Sequence, residues 1–143
     1  MMQMFSTGVA RDRFNELRRE ALNGHEILVR DSKQNNSPLI SIISTDLLDA
    51  MTEKFPFSPE WLRDEDGSFT VSLKEIDIIG YGDTKEDASE VLATVAMEYA
   101  EAYFDELSFY MSSMVNRGSH YPYLRRIARC QGDLAKVMKV LGV

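Results

Sequence analysis

The chain is predicted to fold as α+β: a helix-plus-hairpin module, then a strand–strand–long helix unit, then short C-terminal helices. Three observations predict it. Ala10, Phe14, Leu17 and Ala21 recur at helical spacing and stop at Asn23-Gly24, a pair suited to a left-handed helix end. Phe69, Val71 and Leu73 alternate as a half-buried strand should. From Ala88 onward Val91, Leu92, Val95 and Tyr99 return to helical spacing.

At 143 residues the chain holds one domain or two very small ones. The apolar share of 44% is that of a globular protein. No apolar run is long enough to span a bilayer, and the first residues lack the pattern of a signal peptide. The expected setting is the cytoplasm, with no membrane partner. A single cysteine, Cys130, excludes an intramolecular disulfide and a thiolate metal cluster.

The net charge of −7 is unevenly spread. Residues 1–45 hold six Lys/Arg and five Asp/Glu, residues 46–107 four and seventeen, and residues 108–143 six and one. An acidic middle suits a basic partner, though most charge runs are simply solvated surface. Nucleic-acid binding depends on a local basic patch rather than on the total.

In chain order, Met2 to Thr7 reads as a short first strand, with Ser6 or Thr7 placed to cap the following helix. One helix is expected through Leu22, carrying Arg11, Arg13, Arg18 and Arg19, with Arg11 and Arg18 on similar sides. Glu26–Arg30 has strand composition, with Ile27 and Val29 on one face. Arg30 ends that strand, near the start of the helix. Asp31 to Ser37 is a polar loop holding Lys33, and Pro38–Ile43 is a second strand with its proline first. Thr45 is expected to cap a short helix with Leu47, Leu48 and Met51 inward.

The run Ala10-Arg11-Asp12-Arg13-Phe14-Asn15-Glu16-Leu17, then Glu26–Arg30, Pro38–Ile43 and Thr45-Asp46-Leu47-Leu48, resembles the Phd/YefM superfamily of antitoxins. Val29 stands where that family usually has Thr, and the 31–37 loop is longer. The resemblance implies a module that dimerises and binds operator DNA. Its two recurrent basic contacts match Arg11 and Arg30, and Ser6 and Thr7 lie where relatives approach the phosphate backbone. Arg13 and Lys33 complete the candidate DNA-binding set. Two arginines per protomer, doubled by a two-fold axis, suit a pseudo-palindromic operator. The competing reading pairs Arg11 and Arg30 with Asp12, Glu26 or Asp31 on the surface.

Phe55-Pro56-Phe57-Ser58-Pro59-Glu60-Trp61 ends the helix and marks a boundary. Its aromatics are expected to bury between two halves, so 55–67 reads as a packed junction between a 1–54 module and a 68–143 region. Trp61 as a partner hot spot is the sharper alternative. Asp64 and Asp66 sit in a turn that lacks the downstream glutamate of a calcium loop. Glu75–Gly82 is a second strand of this half, with Ile76 and Ile78 on one face, Ile79 and Tyr81 on the other, and little bulk at Gly80 and Gly82. Asp83 or Thr84 caps the next helix, whose acidic first turn would repel phosphate.

Gly82-Asp83-Thr84-Lys85-Glu86-Asp87-Ala88, with the strands before it, resembles the strand–strand–helix core of HicB-type antitoxins. That resemblance implies a partial ferredoxin-like layer. Unbroken to Met114, the helix would be about 45 Å long; the alternatives are a dimer-spanning helix or a kink near Ser108. Glu86, Glu90, Glu98, Glu101 and Asp105 form its acidic side. Tyr110, Met111 and Met114 make a soft apolar stripe, either core or a surface for a partner helix. Asn116–His120 breaks the pattern. A basic helix from Tyr121 to Cys130 follows, with Leu124, Ile127 and Ala128 inward. The Gln131-Gly132-Asp133 turn leads to a last helix with Leu134, Val137, Met138 and Leu141 inward. Arg125, Arg126, Arg129, Lys136 and Lys139 on the outer faces allow a second nucleic-acid surface; closing the core is the simpler role.

No catalytic triad spacing, Walker loop, dinucleotide fingerprint or zinc motif occurs. Cys130, flanked by arginine, reads as a buried small residue rather than a nucleophile. No enzyme, cofactor or metal is therefore expected. The resemblances imply a type II antitoxin that represses its own operon and neutralises a basic, RelE-like toxin. Glu98, Glu101, Asp105, Tyr110, Met111 and Met114 are the candidate toxin-binding residues. A stand-alone transcriptional regulator and a small-molecule-sensing domain are the alternatives.

Overall fold

The structure is a computed structural model describing residues 2–31, 33 and 36–143. Ser32, Gln34 and Asn35 of the polar loop lie outside the described residues. The chain is α+β and divides into two compact units, Met1–Met51 and Thr52–Val143.

The first unit opens with β1 (Gln3–Ser6). Two helices follow, α1 (Thr7–Asp12) and α2 (Phe14–Leu22), then β2 (Ile27–Arg30) and β3 (Ile40–Ile42). The helices form the crossover that parallel pairing of β1 with β2 requires, and β3 returns antiparallel. Ser6 Oγ accepts the Val9 N–H at 3.3 Å, so of the two candidate caps Ser6 holds the position. Gly24 takes φ +98° after the last turn of α2, as the Asn-Gly pair predicts. The expected single helix is interrupted at Arg13, whose backbone (φ −108°, ψ 20°) leaves the helical region. Its guanidinium stacks over Phe5 and pairs with Glu16 at 2.6 Å. The interruption turns Phe14 outward to 53% exposure, while Ala10, Leu17 and Ala21 stay buried.

The helix α3 (Thr45–Thr52) is capped one residue earlier than expected, by Ser44 Oγ accepting from the Leu47 N–H at 3.2 Å. Leu47 and Met51, expected inward, are exposed. The helix is amphipathic, but these two apolar side chains stay uncovered within the first unit.

The second unit begins with a strand inside the expected junction, β4 (Glu60–Arg63). It pairs antiparallel with β5 (Phe69–Leu73), which pairs with β6 (Ile78–Gly82). Strand β6 starts three residues later than expected, because Asp77 at φ +54° closes a turn. The junction aromatics do not bury as expected: Phe55 and Trp61 are exposed and Phe57 is half-buried, with Phe55 and Phe57 touching Tyr123 and Trp61 touching Phe69 of the same unit. Asp64 and Asp66 accept hydrogen bonds from Ser68 and Thr70, so the turn satisfies its own carboxylates.

Across the sheet lies α4 (Lys85–Asp105), capped by Thr84, whose Oγ1 accepts the Asp87 N–H at 3.1 Å. The two glycines of β6 explain how closely it lies. A Cβ at Gly80 would stand 2.5 Å from the Ala88 carbonyl oxygen, and one at Gly82 would stand 2.4 Å from the Ala88 nitrogen. The helix stops at Glu106, two residues before the expected kink, and α5 (Leu107–Met111) departs from there. A 3-10 turn at Gly118–His120 leads into α6 (Tyr121–Ala128) and α7 (Leu134–Leu141), the last capped by Asp133. Val71, Leu73, Leu92, Tyr103, Leu124, Val137 and Leu141 are among the fully enclosed core residues. Ala128, expected inward, is exposed.

Candidate nucleic-acid and partner-binding surfaces

In the first unit the parallel register pairs Ser6 with Arg30 across β1 and β2. Ser6 also caps α1, so Ser6, Thr7 and Arg30 gather at the C-terminal end of the parallel pair β1 and β2. Arg30 is half-buried, and its Nε is enclosed without a hydrogen-bond acceptor among the described residues. The carboxylates expected to answer it are engaged elsewhere. Glu26 accepts from the Ser41 hydroxyl, and Asp31 accepts from the Lys33 backbone N–H. An enclosed guanidinium donor without an acceptor is a standing demand for an anion.

Arg11 behaves differently. It touches Asp12 at 3.3 Å, with both side chains more than 70% exposed. Such a pair contributes little and exchanges readily for another anion. Arg13 is committed locally, to Phe5 and Glu16, and Glu16 holds the guanidinium charged above its ordinary pKa. Lys33 is exposed in the polar loop.

In the second unit the candidate residues separate into two groups. Glu98, Glu101 and Asp105 follow one another at intervals of three and four along α4, all exposed on one face. Tyr110, Met111 and Met114 lie beyond the break at Glu106. Tyr110 packs into an aromatic cluster with Tyr99 and Tyr103, whereas Met114 is 95% exposed. The stripe is thus part core and part surface.

That aromatic cluster contains a polar network with no clear sequence signal. Tyr99 Oη lies 2.6 Å from Nδ1 of the buried His120, and Arg117 donates toward Nε2 at 3.2 Å. Arg117 also pairs with Asp77 in the turn before β6. Accepting from Arg117 requires His120 to be neutral at Nε2, so Nδ1 carries the proton toward Tyr99. Burial, and then Arg117, lower the His120 pKa. The network joins Tyr99 to His120 and Asp77 to Arg117, 21 and 40 positions apart, which is why periodicity does not reveal it.

The basic C-terminal helices are tied to structure. Arg125 donates to Thr52 Oγ1 at 3.3 Å, and Arg126 donates to the Phe55 carbonyl at 2.8 Å and covers the Phe57 ring. These contacts support core closure over a second nucleic-acid surface. Burial raises the Cys130 thiol pKa, and its Sγ lies 3.4 Å from the Arg126 carbonyl, so a thiolate nucleophile is disfavoured. Among the described residues no group of His, Cys, Asp and Glu is placed to hold a metal, and no helix is long and apolar enough to cross a membrane.

No curated relative matches the sequence. The fold is that of a crystal structure from Syntrophomonas wolfei subsp. wolfei, described as the antitoxin part of a candidate toxin/antitoxin system. The two share 21% identity and a TM-score of 0.79 over 97% of this chain and 96% of that one. A family model described as PHD-like, antitoxin of RelE/RelB toxin–antitoxin systems, matches residues 1–143, and the chain therefore belongs to that antitoxin family.

Proposed function

We propose that this antitoxin neutralises a RelE-like ribonuclease toxin by direct binding through residues 68–143 and represses its own operon through residues 1–54. It acts in the cytoplasm, as a homodimer, by binding rather than by catalysis. The observation that carries the toxin half is the uncompensated acidity of α4, where Glu98, Glu101 and Asp105 are exposed and form no ion pair among the described residues. A ribosome-dependent ribonuclease needs a basic surface to hold RNA. A carboxylate stripe would occupy that surface and exclude the substrate. Met111 and Met114 add adaptable apolar contact.

The DNA half is supported by Arg30, whose Nε is enclosed without an acceptor among the described residues, in register with Ser6, and by Arg11, which pairs with an exposed Asp12. Thr7, Arg13 and Lys33 complete the proposed footprint. The homodimer is supported by the apolar side chains that the first unit leaves exposed, Leu39, Ile40, Leu47 and Met51 among them.

Two experiments test the halves separately. Growth arrest by the toxin of the same operon should be relieved by the wild-type chain and not by Glu98→Lys/Glu101→Lys/Asp105→Lys; equal relief by both removes the acidic-stripe reading. Fluorescence anisotropy on upstream DNA should show sequence-selective binding that Arg11→Ala/Arg30→Ala abolishes. In each single variant the salt slope should fall by about one for every phosphate no longer neutralised. Unchanged affinity in the double variant would remove the operator reading.

A further inference from the structure

Helices α4 and α6 frame a groove of about 330 Å³ in the second unit. Met97, Ala100 and Phe104 of α4 and Ile127 and Ala128 of α6 form its apolar floor, and Glu101 and Asp105 stand on its rim. Two of its lining residues are alanines, one of them the exposed Ala128.

The two charged residues that line it, Glu101 and Asp105, are both acidic, while Arg125 and Arg126 of α6 are turned to Thr52 and the Phe55 carbonyl. Helix α4 carries six Asp/Glu and a single cation, Lys85. Lys85 lies at the far end, over the Trp61 and Phe69 rings. Glu98, Glu101 and Asp105 occupy the C-terminal half, and Asp105 sits in the last turn, where the helix dipole is negative and no basic residue sits. Anions there are unfavourable in the free protein. A cation from outside relieves both the dipole and the carboxylates.

We propose that this groove seats an amphipathic helix of the partner toxin, with apolar anchors at i, i+3 or i+4 and i+7 and Lys or Arg along its flank. The inference rests on the partner-binding function proposed above and names the element bound. From Met97 to Asp105 the groove wall rises about 12 Å, which matches two to three turns of a docked helix. A second copy of this chain is disfavoured as occupant, since groove-on-groove pairing brings the acidic rims of two copies together.

The test uses the full chain and two synthetic helical peptides, one with leucine anchors and lysine flanks, the other with glutamate replacing each lysine. Anisotropy should show binding of the lysine peptide only. Affinity should fall at least tenfold in Ala128→Trp, which fills the groove from an exposed position, and in Glu101→Lys/Asp105→Lys, which reverses the rim. No binding, equal binding of both peptides, or affinity unchanged in both variants overturns the proposal. So does self-association of the wild-type chain that Ala128→Trp abolishes, because the occupant is then a second copy. Toxin relief by Ala128→Trp equal to wild type overturns the groove while leaving toxin neutralisation intact. Failure of the wild type itself to relieve the toxin removes the function, and the named occupant with it.

Discussion

The two units solve the same problem with unequal means. Each packs helix against a three-stranded sheet. In the first, Ala10, Leu17, Ile27 and Val29 make the central cluster, and Phe14, Leu22, Ile40 and Met51 remain more than half exposed. In the second, fourteen buried residues among those described form one cluster across both sheet and helices. A unit of some fifty residues buries too small a fraction of its apolar surface to stand securely alone. The contrast teaches a division of labour. The second unit encloses its own core beneath an acidic exterior, whereas the first leaves apolar side chains exposed, as the proposed association would require.

The largest test of this contrast is Gly80→Val. The close approach of α4 to β6 leaves no room for a Cβ, so the second unit should lose about 3 kcal/mol or more. Urea unfolding followed by Trp61 fluorescence would show it; a midpoint within error of wild type would mean the helix is not held where the structure places it. The same lesion has no counterpart in the first unit, where a Cβ at Gly8 meets nothing within 4 Å.

The second test concerns association. If the first unit is completed by a second copy, its unfolding midpoint should depend on protein concentration, by about 1.4 kcal/mol per tenfold dilution for a dimer. The second unit's midpoint should not. Hydrogen exchange across a hundredfold concentration range separates them, and concentration-independent protection of β2 would break the comparison.

The third test is pH. Burial first, and Arg117 second, lower the His120 pKa in the folded state, while the unfolded imidazole titrates near about 6.5. The unfolded chain therefore binds the extra proton first. Stability of the second unit is fully present above about pH 6.5 and falls as pH drops through that value toward the lowered folded pKa. Asp77 opposes the shift and Tyr99 faces Nδ1. The urea midpoint at about pH 5.5 should lie below that at about pH 7.5, and His120→Gln should flatten the dependence. An unaltered slope in the variant would remove His120 as its source.

The smallest test compares equal lesions. Ser6→Ala and Thr84→Ala each delete one helix cap, at about 1 kcal/mol. The first should weaken its unit by the larger fraction, visible as a greater drop in thermal midpoint for the N-terminal transition. Equal drops would mean the two units unfold together.

Local chemistry was legible in the residues themselves. Alternation at Phe69, Val71 and Leu73 placed β5, the Asn23-Gly24 pair ended α2, and Thr84 and Asp133 announced their helices. These features depend on neighbours within about four positions, so sequence order contains the interacting partners. The acidic face of α4 was legible for the same reason. Long-range packing was not. Strand β4 exists because Trp61 and Leu62 find Val71 and Thr70 across a hairpin, not because Glu60–Arg63 alternates cleanly. The interruption at Arg13, the outward turn of Phe14 and the exposure of Leu47 follow from what the small first unit can and cannot cover. The groove between α4 and α6 and the Tyr99–His120–Arg117–Asp77 network join residues far apart in the chain. Periodicity thus determined which faces are apolar and which ends are capped; only tertiary packing decided which of those faces are covered, because burial depends on what the rest of the chain brings to them.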